Sequence, residues 1–357
     1  MATRDALLNA SKKATEVIED FGLKHRIREE GYTRIDPSHV ASLANVPVMY
    51  RKLERLLGGF IREGAISGIL VNADRSRGLV HMTCAHELGH YYLGHASTTD
   101  EKLDHGDDAQ LVERLADQFA YSLLAPRWLI ASTMTARGWT LMDLKDPFIV
   151  YQLSLRLGVS YTAMVWSLQR TSVIQTPLAL QLQTVAPKVL KQRALGDRHL
   201  DDAKSDVWVL GPADKDCVLE PGYGDRFVLQ LPNHAGAGHL WSVDELCSDG
   251  FELAPFVVDA SQQPKAAVQD IKVGGGPKTM SYALQPPPKY RSTDVSEERL
   301  DILSARRRTV QLREVAPWKP ETNSFDLFSF STEFEPTNEG LTVSERQHRV
   351  SRAQEKQ

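Results

Sequence analysis

His86 and His90 stand four residues apart with Glu87 beside the first of them, in the run His86-Glu87-Leu88-Gly89-His90. On a helix, positions i and i+4 share one face a turn apart, so two imidazoles at this spacing converge on one ion. Glu87 is expected to reach a water next to that ion rather than the ion itself. This is the donor pattern of a catalytic zinc. Two neutral nitrogens hold the ion, the ion brings the water's pKa to about 7, and the carboxylate takes the proton as the water attacks a carbonyl. The expectation is therefore Zn2+ on His86 and His90, with Glu87 as catalytic base.

A catalytic zinc keeps three protein ligands and one open position. An extension with glycine and then histidine at three-residue steps is absent, because those positions hold Leu93 and Ala96. His95 is out of that register by one and reads as a polar residue near a helix end. Farther on, Glu101, Asp104, His105, Asp107 and Asp108 lie in an acidic stretch expected to be a loop, and Glu113 lies near the start of an expected helix. A helix holds a ligand more firmly than a loop. Glu113 could equally sit on a solvated face, paired with Arg114 or Arg127, so spacing alone leaves the third ligand open. Asp117, one turn beyond Glu113, could orient a ligand imidazole by accepting from its other nitrogen. Cys84 reads as core packing, and neither Tyr91 nor Tyr92 is assigned a catalytic role.

Elements must place these groups. Ala6, Leu7, Ala10, Ala14, Val17 and Ile18 recur at three- and four-residue steps and predict an N-terminal helix. Asp36 and Pro37 cap and open a short helix to about Leu43. Val46–Arg51, Gly59–Arg62 and Ile66–Val71 read as the strands of a small sheet. Thr83 is a candidate cap for the helix that carries the two histidines and stops near Gly94. Leu111, Val112, Leu115, Phe119 and Leu123 form the apolar face of a helix over Ala109–Leu124, which Pro126 ends. Helices follow over Leu141–Leu157 and Tyr161–Arg170.

The stretch His81–His90, with Glu113-Arg-Leu-Ala-Asp-Gln-Phe-Ala120 and Leu123-Leu-Ala-Pro126, resembles the ImmA/IrrE family of metallopeptidases over about residues 1–175. The resemblance implies His86, His90 and Glu113 as zinc ligands, Glu87 as catalyst and a supporting place for Asp117. It also implies cleavage of a transcriptional repressor or antitoxin, in stress, mobile-element or phage-defence responses. Helix-turn-helix proteins are the partners it implies. The chain's own Tyr151–Leu168 has helix-turn-helix rhythm, but its second helix is apolar (Ala163, Met164, Val165, Trp166), whereas a reading helix needs polar and basic side chains. No direct contact with nucleic acid is expected.

A charged stretch over 191–215 reads as a linker. Beyond it, short β-rich runs between Gly- and Pro-rich loops predict a small sandwich, Arg226–Leu231, Phe256–Val258, Met280–Leu284, Thr309–Val315 and Ser324–Ser329 among them. Residues 285–305 read as an insertion in it, and 336–357 as a disordered tail. Gly224-Asp225, Asn233–Gly238 with Leu240-Trp241, Val273–Gly276 and Ala316-Pro-Trp318 resemble the chagasin-like, immunoglobulin-type fold of cysteine-peptidase inhibitors. In that family three loops at one end enter a protease cleft, which marks Asn233, Gly236, Trp241, Gly275 and Trp318 as candidate partner-binding residues. His239 where tyrosine is common, and Ala316 where arginine is, favour recognition of another partner over inhibition of a papain-like enzyme.

Composition bounds the rest. A formal net charge of −4 gives no general attraction to nucleic acid. No apolar run nears the roughly 20 residues that span a bilayer, and MATRDALLNASKK lacks a signal's apolar core. Three scattered cysteines make no disulfide scaffold and suit a reducing cytoplasm. The expected fold class is α+β: a mainly helical metallopeptidase domain with a small sheet over 1–190, a linker over 191–215, an immunoglobulin-like β-sandwich over 216–335 and a tail. The expected function is zinc-dependent endopeptidase action on a specific intracellular protein. The alternatives are a non-catalytic metal-binding sensor or scaffold and an intracellular peptidase inhibitor.

Overall fold

The apolar steps near the N-terminus become the buried face of α1 (Ala2–Asp20), where Ala10, Ala14, Val17 and Ile18 are shut from solvent. The computed structural model describes residues 2–64, 66–99, 107–196, 202–244, 250–256, 279–287, 307–318, 326–334 and 339–342, with the single positions 198, 200, 248, 345, 346 and 349. Two units partition the chain: Met1–Thr184 together with Pro336–Gln357, and Val185–Glu335. In sequence, the second unit interrupts the first.

In the first unit, α2 (Leu23–Arg28) and α3 (Pro37–Leu43) lead into a sheet. Asp36 caps α3 as its residue type predicts, accepting from the Ser38 amide at 2.9 Å, with Pro37 in the first turn where no amide is needed. β1 (Val48–Arg51), β2 (Gly58–Glu63), β3 (Ile66–Asn72), β4 (Thr98–Thr99) and β13 (Gly340–Leu341) form one mixed sheet in the order β13-β1-β3-β2-β4. β1 and β3 are parallel, and the other pairs are antiparallel. The tail expected to be disordered thus contributes a strand: Met49 pairs with Leu341 and Tyr50 with Gly340.

The histidine-bearing helix α4 (Arg77–Leu93) starts earlier than expected, after Ser76, and Thr83 lies buried inside it. The reason is an apolar stripe that reaches upstream of the motif, through Val80, Cys84, Ala85 and Leu88, all buried. α4 packs against β2, β3 and α5 (Asp107–Leu124), and α1 packs on α5 as well. Ala116, Phe119, Ala120, Leu123 and Leu124 are the buried face of α5. α6 (Arg127–Ala136) follows Pro126.

The helix expected over Leu141–Leu157 divides into a single 3-10 turn at Asp143–Lys145 and α7 (Pro147–Leu157). Proline has no amide to continue a helix and favours its first turn, where Asp146 caps it by accepting from the Phe148 amide at 2.9 Å. α8 (Tyr161–Arg170) begins at its Ser160 cap and α9 (Thr176–Gln183) follows. Ala163, Met164 and Val165 of α8 are buried, so its apolar face is spent on packing. Among the described residues, no single helix is long and apolar enough to cross a membrane.

In the second unit, the stretch expected as a linker holds part of α10 (Pro187–Leu195) and all of β5 (Val207–Leu210), which pack on each other. Leu190, Ala194 and Leu195 of α10 are buried, and Lys191 pairs with Asp206 at 3.1 Å. β6 (Val218–Leu219), β7 (Arg226–Pro232), β8 (Leu240–Val243), β9 (Glu252–Phe256), β10 (Thr279–Gln285), β11 (Arg308–Val315) and β12 (Asp326–Thr332) complete two four-stranded sheets, β5-β7-β10-β9 and β6-β12-β11-β8. Phe227 of the first and Phe330 of the second have ring centroids 6.4 Å apart. Buried Asp225 ties down the start of β7, accepting from the Trp208 indole at 2.9 Å and the Gly222 and Asp206 amides. Most of the expected insertion, 288–305, lies outside the described residues. The fold class is α+β, a helical unit with a mixed sheet and a unit of two sheets.

Candidate metal centre

His86 and His90 leave α4 one turn apart, and α5 crosses at their level. The crossing is close because Gly89 has no side chain: a Cβ there would stand 2.9 Å from the Ala116 carbonyl oxygen and 3.0 Å from its Cα. Ala116 lies three residues beyond Glu113, so the same approach that seats Gly89 on α5 brings Glu113 to the imidazoles.

His86 Nε2 lies 3.0 Å from His90 Nε2 and 3.0 Å from Glu113 Oε2, while His90 Nε2 is 3.6 Å from the other carboxylate oxygen. One ligand atom from each of the three residues falls within 4.8 Å of the others. Zinc ligands at about 2.0–2.1 Å in a tetrahedron are about 3.3 Å from one another, close to these separations. The donor set of two imidazoles and one carboxylate also excludes a calcium-type cage of oxygens alone. The three residues fit a zinc-type ion.

Electrostatics couples the same three residues. Burial lowers the pKa of His86, but hydrogen bonds to Asp117 and Glu113 outweigh it and raise the group to about 10. Hydrogen bonds from His86 and His90 hold the Glu113 carboxyl well below the usual range, so it stays ionised as a ligand must. Asp117 Oδ1 takes His86 Nδ1 at 2.9 Å, which leaves Nε2 facing the site.

Glu87 follows His86 on α4, and its charge helps to raise the His86 pKa. It is buried at β2, where a Cβ on Gly58 would lie 3.2 Å from its Oε1. Cys84 is buried and Tyr92 stacks on Phe119 at 5.5 Å, so both pack rather than face the ligand set. Tyr91 meets Phe60 edge-on.

Two residues gain a place that spacing did not give them. His95 lies with Nδ1 3.0 Å from His90 Nδ1, and burial together with nearby His90 lowers its pKa to about 4. Arg62 of β2 donates to the carbonyls of Tyr91 at 3.0 Å and His95 at 3.1 Å, closing the exposed C-terminal end of α4. Arg62 lies 29 and 33 residues from these partners, and no local pattern links them. Of the other residues considered as ligands, Glu101, Asp104 and His105 lie outside the described residues, and Asp107 and Asp108, expected in a loop, begin α5.

In the second unit the candidate loops partly converge. Trp318 is 62% exposed and lies over Gly238, whose Cβ would come within 1.8 Å of the indole. Gly236 is exposed, and Asn233 shapes the loop by accepting from the Ala235 amide at 3.0 Å. The loop is further fixed by His234, 2.8 Å from Glu314, which lies on the buried side of β11. Trp241 departs from its expected role. Alternation along β8 turns it inward to 7% exposure, and its indole donates to the Pro232 carbonyl at 2.9 Å, so it is a packing residue. Gly275 lies outside the described residues.

Residues 43–168 match the family model of peptidase M78, the IrrE N-terminal-like domain. The match includes α4, α5 and every residue of the ligand cluster. No curated protein matches the chain. Two solved structures align with the C-terminal region. The cysteine protease inhibitor EhICP2 of Entamoeba histolytica is 14% identical, with 36% of this chain and 96% of that one covered and a TM-score of 0.23. Amebosin is 15% identical, with 37% and 98% covered and a TM-score of 0.22. Likenesses at these TM-scores carry no argument about this chain.

Proposed function

We propose that this chain is a zinc-dependent endopeptidase of the IrrE/ImmA type, working in the cytoplasm on a specific protein. A helix-turn-helix repressor or an antitoxin is the substrate class, in a stress, mobile-element or phage-defence response. The M78 match over 43–168 supports the metallopeptidase class, and the convergence of His86, His90 and Glu113 is the observation that carries the reading.

His86 Nε2, His90 Nε2 and one Glu113 oxygen would hold the ion. Zinc, when bound, supplies the Lewis acid that polarises a peptide carbonyl and acidifies water. Glu87, next to His86 in the chain, would accept a proton from the attacking water on a carboxylate oxygen and pass it to the leaving amine, the two-way duty of a general base. Asp117 fixes which nitrogen of His86 carries the proton, and Glu113 remains anionic throughout. The second unit, with Trp318 exposed over the Asn233–Gly238 loop, is read as an immunoglobulin-like recognition module. An exposed indole on a pinned loop suits a protein partner.

Glu87→Gln is the test. It should keep the metal, because Glu87 is not a ligand, and lose cleavage of the natural substrate by at least a factor of about 100, the usual scale for a general base. Wild-type protein that binds zinc yet cuts none of the proteins trapped by the Glu87→Gln bait would leave a metal-binding scaffold instead.

A further inference from the structure

His95 follows His90 by five residues, and helical spacing would carry it off the ligand face. The backbone brings it back. α4 ends at Gly94 in the left-handed conformation (φ 75°), the His95 amide donates to the His90 carbonyl at 3.0 Å, and Arg62 holds the His95 carbonyl from β2. The result is a ring pair with centroids 5.0 Å apart and the two Nδ1 atoms 3.0 Å apart. Between two neutral imidazoles at that distance, one Nδ1 must carry the proton and the other must accept it. His90 offers Nε2 to the ligand cluster, so its proton belongs on Nδ1 and His95 Nδ1 is the acceptor, with the His95 proton on Nε2.

We propose that His95 is a positioning residue for His90, fixing its tautomer and ring orientation so that Nε2 presents a lone pair to the metal. This rests on the metal-site reading above. It makes the two ligand imidazoles unlike each other. His86 leans on the carboxylate of Asp117, whereas His90 leans on a neutral ring. A neutral acceptor orients the ligand without adding negative charge, so the bound ion keeps more of its power to acidify water.

The test uses the full chain and zinc alone, with affinity measured by competition against a chromophoric chelator. His95→Ala should weaken zinc by roughly 10- to 100-fold, the usual cost of losing such a partner. His95→Gln, whose amide oxygen can accept from His90 Nδ1–H, should restore most of it. In wild-type zinc-loaded protein, 15N NMR should show a coupling across the hydrogen bond between the Nδ1 atoms of His90 and His95, a signal that packing alone does not produce. Equal affinity in wild type and His95→Ala, no rescue by glutamine, or no coupling each overturn the proposal. If His95→Ala does not fold, the coupling and the glutamine variant still decide it. If wild type takes up no zinc, the metal-site reading falls and this inference with it. If wild type binds and His90→Ala does not, while His95→Ala matches wild type, only the inference fails.

Discussion

At the scale of single residues, the partners of His86 set the pH at which it can hold an ion. Asp117 and Glu113 hold a proton on His86 and raise that group to about 10, so at neutral pH the imidazole is charged until an ion displaces the proton. Zinc uptake at pH 7 should therefore release at least about one proton per ion, and affinity should rise with pH through the neutral range. An indicator-monitored titration reads both, and an affinity unchanged between about pH 6 and 8 would contradict the assignment. Residues four apart on one helix were readable from spacing, because i and i+4 share a face. Glu113 was one candidate among several, since its nearness to His86 depends on how two helices cross, 27 residues apart in sequence. The nearness of His95 to His90 was not readable from spacing, because the left-handed turn at Gly94, rather than helical periodicity, sets its direction.

At the scale of elements, the α4–α5 crossing builds the site. Gly89 is a point of close approach in it. Alanine is favoured over glycine in a helix by about 1 kcal/mol, so Gly89→Ala would stabilise α4 if the crossing did not matter. Here the added carbon meets the Ala116 backbone, α5 must move, and Glu113 moves with it. The expected outcome is a lower melting temperature and at least about tenfold weaker zinc binding, on the scale seen when metal-site support is lost. A rise in melting temperature with unchanged zinc affinity would show that the crossing tolerates a side chain. Elements with a long apolar period were legible, as α1, α5 and α8 illustrate. Their starts were less so. Thr83 resembles a cap in isolation, yet the stripe from Val80 carries the helix past it, and Pro147 divides a run whose hydrophobic rhythm alone looks continuous.

At the scale of the whole molecule, the chain leaves the first unit after Thr184 and returns to it at Pro336. Composition could not reveal the return, because a polar tail and a polar strand on a sheet edge look alike. β13 covers the edge of β1, the Lys52 amide donates to Glu339 at 2.9 Å, and the Thr342 amide donates to the Val48 carbonyl at 3.2 Å. Two such bonds are worth about 1 kcal/mol each, so truncation after Glu335 should lower the melting temperature by roughly 4–8 °C and promote aggregation through the bared strand. A melt that matches the full chain would show that β13 adds nothing.

The most direct test of the account is metal content per chain in the wild type beside His86→Ala, His90→Ala, Glu113→Ala and Glu87→Gln. About one zinc in the wild type and in Glu87→Gln, and loss of the metal in the other three, is the predicted result for a three-ligand site with a separate base. Full zinc occupancy in Glu113→Ala, or loss of zinc in Glu87→Gln, would contradict it.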